Sequence, residues 1–313
     1  MSRPADTPRE LRVAAREDAA DGVVALTLVD PGGGRLPVWA PGAHLDLHLA
    51  GGLVRQYSLC SDPEDLSHYR IGVLRVEDGR GGSRLVHCAL RPGTVLPVSA
   101  PRNNFPLVED ADEYVLIAGG IGITPLLPMA GRLTALGRPW RMLYAGRSRT
   151  TMAFLGELPP RHVTVVPEDE AGRPDLAAHL APSPGATVYA CGPGGLLDAV
   201  RALHPGPLHT ERFTAAPAAP GPTGAGAFTV ELARSGTEVT VPADRSVLDA
   251  VREAGTPVPS SCEMGICGTC ETKVLAGTPD HRDDLLTPEE QAAGDTMMIC
   301  VSRSTGARLV LDL

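Results

Sequence analysis

"SCEMGICGTC", residues 261–270, puts three of the chain's seven cysteines inside one short stretch. Cys262, Cys267 and Cys270 follow the spacing C-x4-C-x2-C, and Cys300 comes later, after a strand and a helix. A [2Fe–2S] centre needs four thiolates from directions that no single regular element supplies; a loop gives three and a distant residue closes the cage. Gly265 and Gly268 let the backbone curl so that its N–H groups point at the sulfurs. Zinc is the rival, but structural zinc sites usually pair C-x2-C knuckles, and a four-residue gap suits them poorly. Disulfides fit worse. The cysteine count is odd and the first thirty residues lack the apolar core of a secretion signal, so a reducing cytoplasm is expected.

The loop also organises its surroundings. "FTVELARSGTEVTVPAD" reads as a hairpin, "SVLDAVREAG" as a helix and "ETKVLAG" as a strand. "LTPEEQAAG" carries a complete helix start, with Thr287 as cap, Pro288 at the first position and Glu290 closing a capping box. "TMMICVSR" and "RLVLDL" read as closing strands, so a mixed sheet grasps one main helix. From residue 228 onward there are seven Lys/Arg and fourteen Asp/Glu, 7 − 14 = −7. An acidic face of this kind steers a basic partner, with plain solubility as the alternative.

Upstream, "TAAPAAPGPTGAGA", residues 214–227, has nothing to bury and reads as a linker, or else as a rigid loop packed on a domain. Residues 10 to about 100 show short alternating segments ("LRVAARE", "GVVALTLVD", "HLDLHL", "VRQYSLC", "YRIGVLRV") and one helix, "GSRLVHCAL", the pattern of a closed antiparallel barrel. From residue 112 apolar strands ("EYVLIAGG", "RMLYAG", "HVTVVPED", "TVYACG") alternate with helical stretches, which predicts a doubly wound sheet. "TPLLPMAGRLTALG" reads as a helix capped by Thr124 with Pro125 first. Cys60, Cys88 and Cys191 lie outside the cluster pattern and read as small buried side chains. A net charge of −9 argues against nucleic-acid binding, and no run approaches the ~18 apolar residues of a membrane span.

Two glycine-rich stretches have phosphate-site chemistry. "GRGGS" places Gly81, Gly82 and Ser83 at a helix start, where free N–H groups favour anions. "AGGIGITPLLPM" follows a strand and opens a helix; Gly119, Gly120 and Gly122 permit close backbone approach to a pyrophosphate.

With these motifs in this order, the chain resembles the phthalate dioxygenase reductase family: a flavin barrel, a nicotinamide domain and a plant-type ferredoxin domain. The resemblance covers nearly everything after the first ten residues. It implies domains at 1–108, 109–213 and 228–313, joined by 214–227. Arg55, Gln56, Tyr57 and Ser58 match its R-x-Y-S flavin motif. Arg55 offers a bidentate fork to a phosphate, Tyr57 lies against the flavin, and Ser58 donates to N5. Gly72, Val73 and Leu74 occupy the isoalloxazine contact, with Leu74 where several relatives carry Lys. The 81–83 stretch holds the terminal phosphate of FMN, which is favoured over FAD because no adenosine-binding element is apparent. Thr124 lies near the nicotinamide, and Cys191, in Cys191–Gly192–Pro193, sits by its reacting carbon. Arg147, with Ser148 and Arg149 at a strand end, can hold a 2′-phosphate, flank the pyrophosphate or simply be solvated; the resemblance tilts the choice to NADH over NADPH. Phe213 covers the flavin or belongs to the core.

A nicotinamide delivers electrons in pairs and a [2Fe–2S] cluster takes them singly, whereas a flavin does both. No protein base is required, so Ser58, Thr124 and Cys191 position the hydride path and none of the nine histidines is assigned a catalytic role. The expected function is an NADH-dependent reductase component feeding a separate terminal oxygenase, either a Rieske non-haem iron or a haem-thiolate enzyme. The alternatives are a stand-alone reductase of flavin, quinone or ferric iron, and a redox sensor.

Overall fold

Alternate side chains of the first strands share one apolar core, which shows why the strands close on themselves. The computed structural model describes residues 8–77, 79–214 and 226–313, and the chain divides into two units, Met1–Phe213 and Thr214–Leu313. The first unit begins with β1 (Arg9–Ala20), β2 (Val23–Val29), β3 (Ala43–His48), β4 (Val54–Ser58), β5 (Tyr69–Leu74), helix α1 (Gly82–Ala89), β6 (Val95–Val98) and β7 (Arg102–Asn103). These strands form an antiparallel sheet in the order β4-β3-β6-β1-β2-β5, with β7 added to β3. Every second residue (Leu45 and Leu47, Leu26 and Leu28, Ile71 and Val73) points into one core. The two end strands, β4 and β5, are joined by the single bridge Leu59–Ile71. Helix α1 lays Val86 onto that core, followed by Leu90 just past its end. The same stripe turns Cys88 outward, so this thiol is exposed, against its expected burial; Cys60 and Cys191 are buried.

The unit continues with β8 (Tyr114–Gly119), α2 (Ile123–Ala135), β9 (Trp140–Gly146), β10 (Val163–Pro167), α3 (Glu168–Ala171), α4 (Leu176–Leu180), β11 (Thr187–Cys191), α5 (Gly194–Leu203) and β12 (Leu208–Glu211). The sheet is parallel throughout, in the order β10-β9-β8-β11-β12. All six residues of β8 are buried, as expected for a strand covered on both faces. Tyr114, Leu116 and Ala118 pack with α2, while Val115 and Ile117 pack with α4 and α5. The α2 side of this core continues into Val23, Ala25 and Cys60 of the barrel.

Helix α2 starts earlier than the sequence suggests. Gly120–Gly122 form a tight 3-10 turn that runs straight into the helix, so Gly122 takes the cap position. Thr124 lies in the first turn, and its hydroxyl donates to the Ile121 carbonyl at 3.0 Å instead of capping.

The second unit holds β13 (Phe228–Leu232), β14 (Thr237–Val241), α6 (Val247–Glu253), β15 (Glu271–Ala276), β16 (Pro279–Asp280), α7 (Pro288–Ala293), β17 (Thr296–Met298), β18 (Arg303–Ser304) and β19 (Arg308–Leu311). Its main sheet runs β14-β13-β19-β15-β17; β13 and β19 are parallel and the other pairs antiparallel. Val247, Leu248 and Val251 of α6 pack on this sheet, giving the expected grasp of one helix. "TMMICVSR" is not one strand: β17 stops at Met298, and a tight turn closed by Val301 and Ser302 N–H groups on the Met298 carbonyl carries Cys300. Apart from Thr214, Gly226 and Ala227, the stretch read as a linker lies outside the described residues.

The capping box on α7 is present in full: the Glu290 N–H donates to Thr287 Oγ1 (3.2 Å) and the Thr287 N–H to Glu290 Oε2 (2.8 Å). Thr287→Ala is expected to cost the second unit about 1 kcal/mol. Thr287→Ser should cost almost nothing; urea denaturation of the two variants checks both values.

Candidate functional site

Strands β4 and β5 are the two free edges of the barrel sheet, and the sequence places the R-x-Y-S stretch on one and Gly72–Leu74 on the other. Arg55 and Tyr57 share a face of β4, with Gln56 and Ser58 on the opposite one. The Arg55 guanidinium reaches the 80–83 loop and donates to the Arg80 carbonyl at 2.9 Å. Its stem lies so close to Gly82 that an added Cβ there would sit 2.4 Å from Arg55 Cγ. Gly81 caps α1 with φ 81°, and Ser83 Oγ accepts the Val76 N–H at 3.0 Å. A guanidinium and a helix start therefore meet at one spot, as an anion requires. Tyr57 is half-buried beside the barrel core, which raises its phenol pKa. Val73 points into the core, so only its backbone faces this edge; Leu74 is exposed.

In the parallel sheet, β8 leads outward to β9 and β10 on one side, while β11 pairs on its other side. The crevice between the loops after β8 and β11 is thus a topological switch point, where open α/β sheets bind ligands. The glycines there are required sterically. A Cβ on Gly122 would stand 2.2 Å from the Cys191 carbonyl oxygen, and Gly119 packs against Gly192 and Pro193. At the end of β9, Arg147 is exposed, while the Ser148 hydroxyl is engaged with Thr150 and Thr151. Arg149 Nε donates to both carboxylate oxygens of Glu170, at 2.9 and 3.0 Å.

These two halves close a ring. Ser58 lies near enough to Glu211 to act on its carboxyl, and Glu211 stands beside Cys191 in the β11–β12 pair. The Cys191 backbone touches Gly122, two residues before Thr124. The Thr124 methyl lies 2.9 Å from where a Gly72 Cβ would be. Gly72 follows Ile71, whose bridge to Leu59 leads back to Ser58. Phe213 packs, half-buried, against the core that borders this ring.

Eleven buried side-chain nitrogen and oxygen atoms lack a partner among the described residues, and four of them belong to residues around Ser58: both ring nitrogens of His44, Gln56 Nε2 and Glu211 Oε2. Unpaired buried polar atoms are costly and rare, so their clustering marks a place where a polar ligand completes the bonding. A flavin, with its polar ring edge and phosphate tail, fits this donor set. The sequence does not single out Glu211, the one acid of "HTERF"; the β11–β12 pairing brings it beside Cys191. Burial pushes its pKa up to about 8 despite the nearby Ser58, and burial, with Glu211 nearby, raises that of Cys191 well above an ordinary thiol.

In the second unit Cys262, Cys267, Cys270 and Cys300 are all buried. Gly265 and Gly268 have φ of 72° and 73°, the left-handed turns that the loop needs. Gly265 is also pressed on Asp283, whose Cα would be 3.0 Å from an added Cβ. Backbone N–H groups point at sulfur as expected: Met264 to Cys262 at 3.3 Å and Cys262 to Cys267 at 3.5 Å. The thiols fall into two pairs. The neighbouring Cys262 thiol lowers the pKa of Cys267, and the neighbouring Cys270 lowers that of Cys300. Two pairs suit a two-iron centre, one pair to each iron.

The raised Glu211 pKa has a thermodynamic consequence. Because the folded chain holds this proton more tightly than the unfolded chain, the stability it contributes is complete below about pH 4.5. That stability is lost as pH rises through about 8. Thermal denaturation across that window should show a falling Tm in the native chain and a flatter profile in Glu211→Gln.

Residues 230–305 match the 2Fe-2S iron-sulfur cluster binding domain. The phenoxybenzoate dioxygenase subunit beta of Ectopseudomonas oleovorans is 46% identical over 98% of this chain and 98% of its own. The solved structure of phthalate dioxygenase reductase, described as modular for electron transfer from pyridine nucleotides to [2Fe–2S], is 40% identical with a TM-score of 0.73 over 97% of both chains. An intact type IV self-sufficient cytochrome P450 monooxygenase is 45% identical with a TM-score of 0.88 over 98% of this chain, which spans 41% of that longer one. With near full-length identity of this order, the barrel, the doubly wound sheet and the ferredoxin-like unit identify the chain as a member of the phthalate dioxygenase reductase family.

Proposed function

We propose that the chain is the reductase component of an oxygenase system, taking electrons from NADH and delivering them through FMN and a [2Fe–2S] cluster to a separate terminal oxygenase. The observation that carries this reading is the ring Ser58–Glu211–Cys191–Gly122–Thr124–Gly72, which joins the flavin strand ends to the switch-point loops. Residues 1–108 form the flavin barrel, 109–213 the nicotinamide domain and 228–313 the ferredoxin domain, joined by 214–227.

Arg55, Gly81, Gly82 and Ser83 hold the phosphate of FMN. Tyr57, Gln56 and the Gly72–Leu74 edge border its ring, and Ser58 donates at N5. Gly119, Gly120, Gly122, Gly192 and Pro193 seat the nicotinamide nucleotide; Thr124 and Cys191 align its ring, and Phe213 covers the flavin from the core side. Cys262 and Cys267 ligate one iron, Cys270 and Cys300 the other. Bound, these groups supply the conversion of paired into single electrons. Cys60, Cys88 and Cys191, outside the cluster, stand as single thiols, and the setting of the chain is cytoplasmic. Among the described residues no helix is long and apolar enough to cross a membrane.

The preference for NADH rests on charge. Glu168, Asp169 and Glu170 form α3 at the end of β10, and Glu170 occupies Arg149. A 2′-phosphate near Arg147 would meet these carboxylates, whereas a ribose hydroxyl can donate to one. We expect kcat/KM to favour NADH over NADPH by about 100-fold. Glu170→Gln, which releases Arg149, should narrow that ratio about tenfold.

The reading is tested by adding NADH anaerobically to the flavin- and cluster-loaded chain, which should bleach the flavin and then the cluster bands. In Cys267→Ser the flavin should still be reduced while transfer to cytochrome c falls by about 100-fold. Flavin bands that NADH leaves untouched would overturn it.

A further inference from the structure

Ser58 has a neighbour that the ring does not use. His44 stands directly opposite Ser58 in the β3–β4 pair and directly opposite Arg102 in the β3–β7 pair. Opposed residues of an antiparallel pair share a face, with Cβ atoms about 4.5–5.5 Å apart. Since Ala43, Leu45 and Leu47 fill the barrel core, His44 and Asp46 project from its outer face. His44 is only 1% exposed, yet neither ring nitrogen has a hydrogen-bond partner among the described residues. Burial, and the positive Arg102 that Asp46 pairs at 2.6 Å, bring its pKa down to about 3. The ring is therefore neutral, with one N–H to donate and one lone pair to accept.

We propose that His44 is a positioning residue, the hydrogen-bond acceptor for the Ser58 hydroxyl when the flavin is reduced. The proposal rests on the reading of this edge as a flavin site. Oxidised flavin presents a lone pair at N5, and Ser58 donates its single hydrogen there. With the flavin reduced, N5 would carry the hydride's hydrogen as an N–H, so the Ser58 oxygen would accept and its own hydrogen would turn elsewhere. Glu211 is protonated below about pH 8, and a neutral carboxyl is a weaker acceptor for that hydrogen than an imidazole nitrogen. The neutral imidazole offers a lone pair. Only the hydroxyl rotates; no proton leaves His44, Ser58 or Glu211, and the N5 hydrogen arrives with the nicotinamide's electron pair.

Such an acceptor stabilises reduced over oxidised flavin, so its removal shows in the potential. In the flavin- and cluster-loaded chain, His44→Leu or His44→Met should lower the reduced-to-oxidised flavin ratio about tenfold at fixed applied potential, about 30 mV for a two-electron couple. His44→Gln, whose amide oxygen still accepts, should stay within about twofold of the native chain. In a Ser58→Ala background His44→Leu should change nothing further. A potential indifferent to His44, or an equal shift with and without Ser58, overturns the proposal while leaving the flavin site intact. A chain that binds no flavin overturns both.

Discussion

The barrel does not zip shut. Its first and last edges, β4 and β5, meet through one bridge, Leu59–Ile71, and the backbone and side-chain groups beside that bridge are left to something other than the sheet. This incomplete closure is what the rest of the first unit is arranged around. Val23, Ala25 and Cys60 of the barrel pack into the apolar cluster of the parallel sheet, which holds Ser58 and Gly72 against the carboxyl ends of β8, β11 and β12. A full ladder between β4 and β5 would satisfy those edges and remove the space that a polar ligand needs.

The electrostatics follow from the same closure. Glu211, Cys191 and His44 are all kept neutral by burial, and the nearby Arg102 and Asp46 offset each other in an ion pair. Charge is instead held at the periphery: Arg55 at the 80–83 loop and Arg147, Arg149 and Glu170 at the far strand end. That division suits a ligand with an uncharged reacting ring and anionic tails.

Much of this was legible in the chain itself. The R-x-Y-S stretch, the glycine loops, the cysteine spacing and the Thr287 capping box are local patterns whose physics is contained in a few neighbouring residues. What stayed hidden depends on pairing between distant strands. Glu211 gains its role only from β12 lying beside β11, and His44 reads as an outward polar residue of "HLDLHL" until the neighbouring strands bury it. The helix start at Gly122 is hidden because a 3-10 turn leaves no capping side chain, and the exposure of Cys88 because about half a helical turn separates it from the buried Val86.

The second unit carries its own constraint: two thiol pairs brought together by a loop with left-handed glycines and by the turn after β17. Its acidic balance and its match to cluster-binding domains agree with a one-electron docking module. The claim on which the electron path depends is that these pairs share a two-iron centre. Iron, zinc and acid-labile sulfide analysis of the purified chain tests it most directly. The account predicts about two irons and about two sulfides per chain; about one zinc and no sulfide would contradict it.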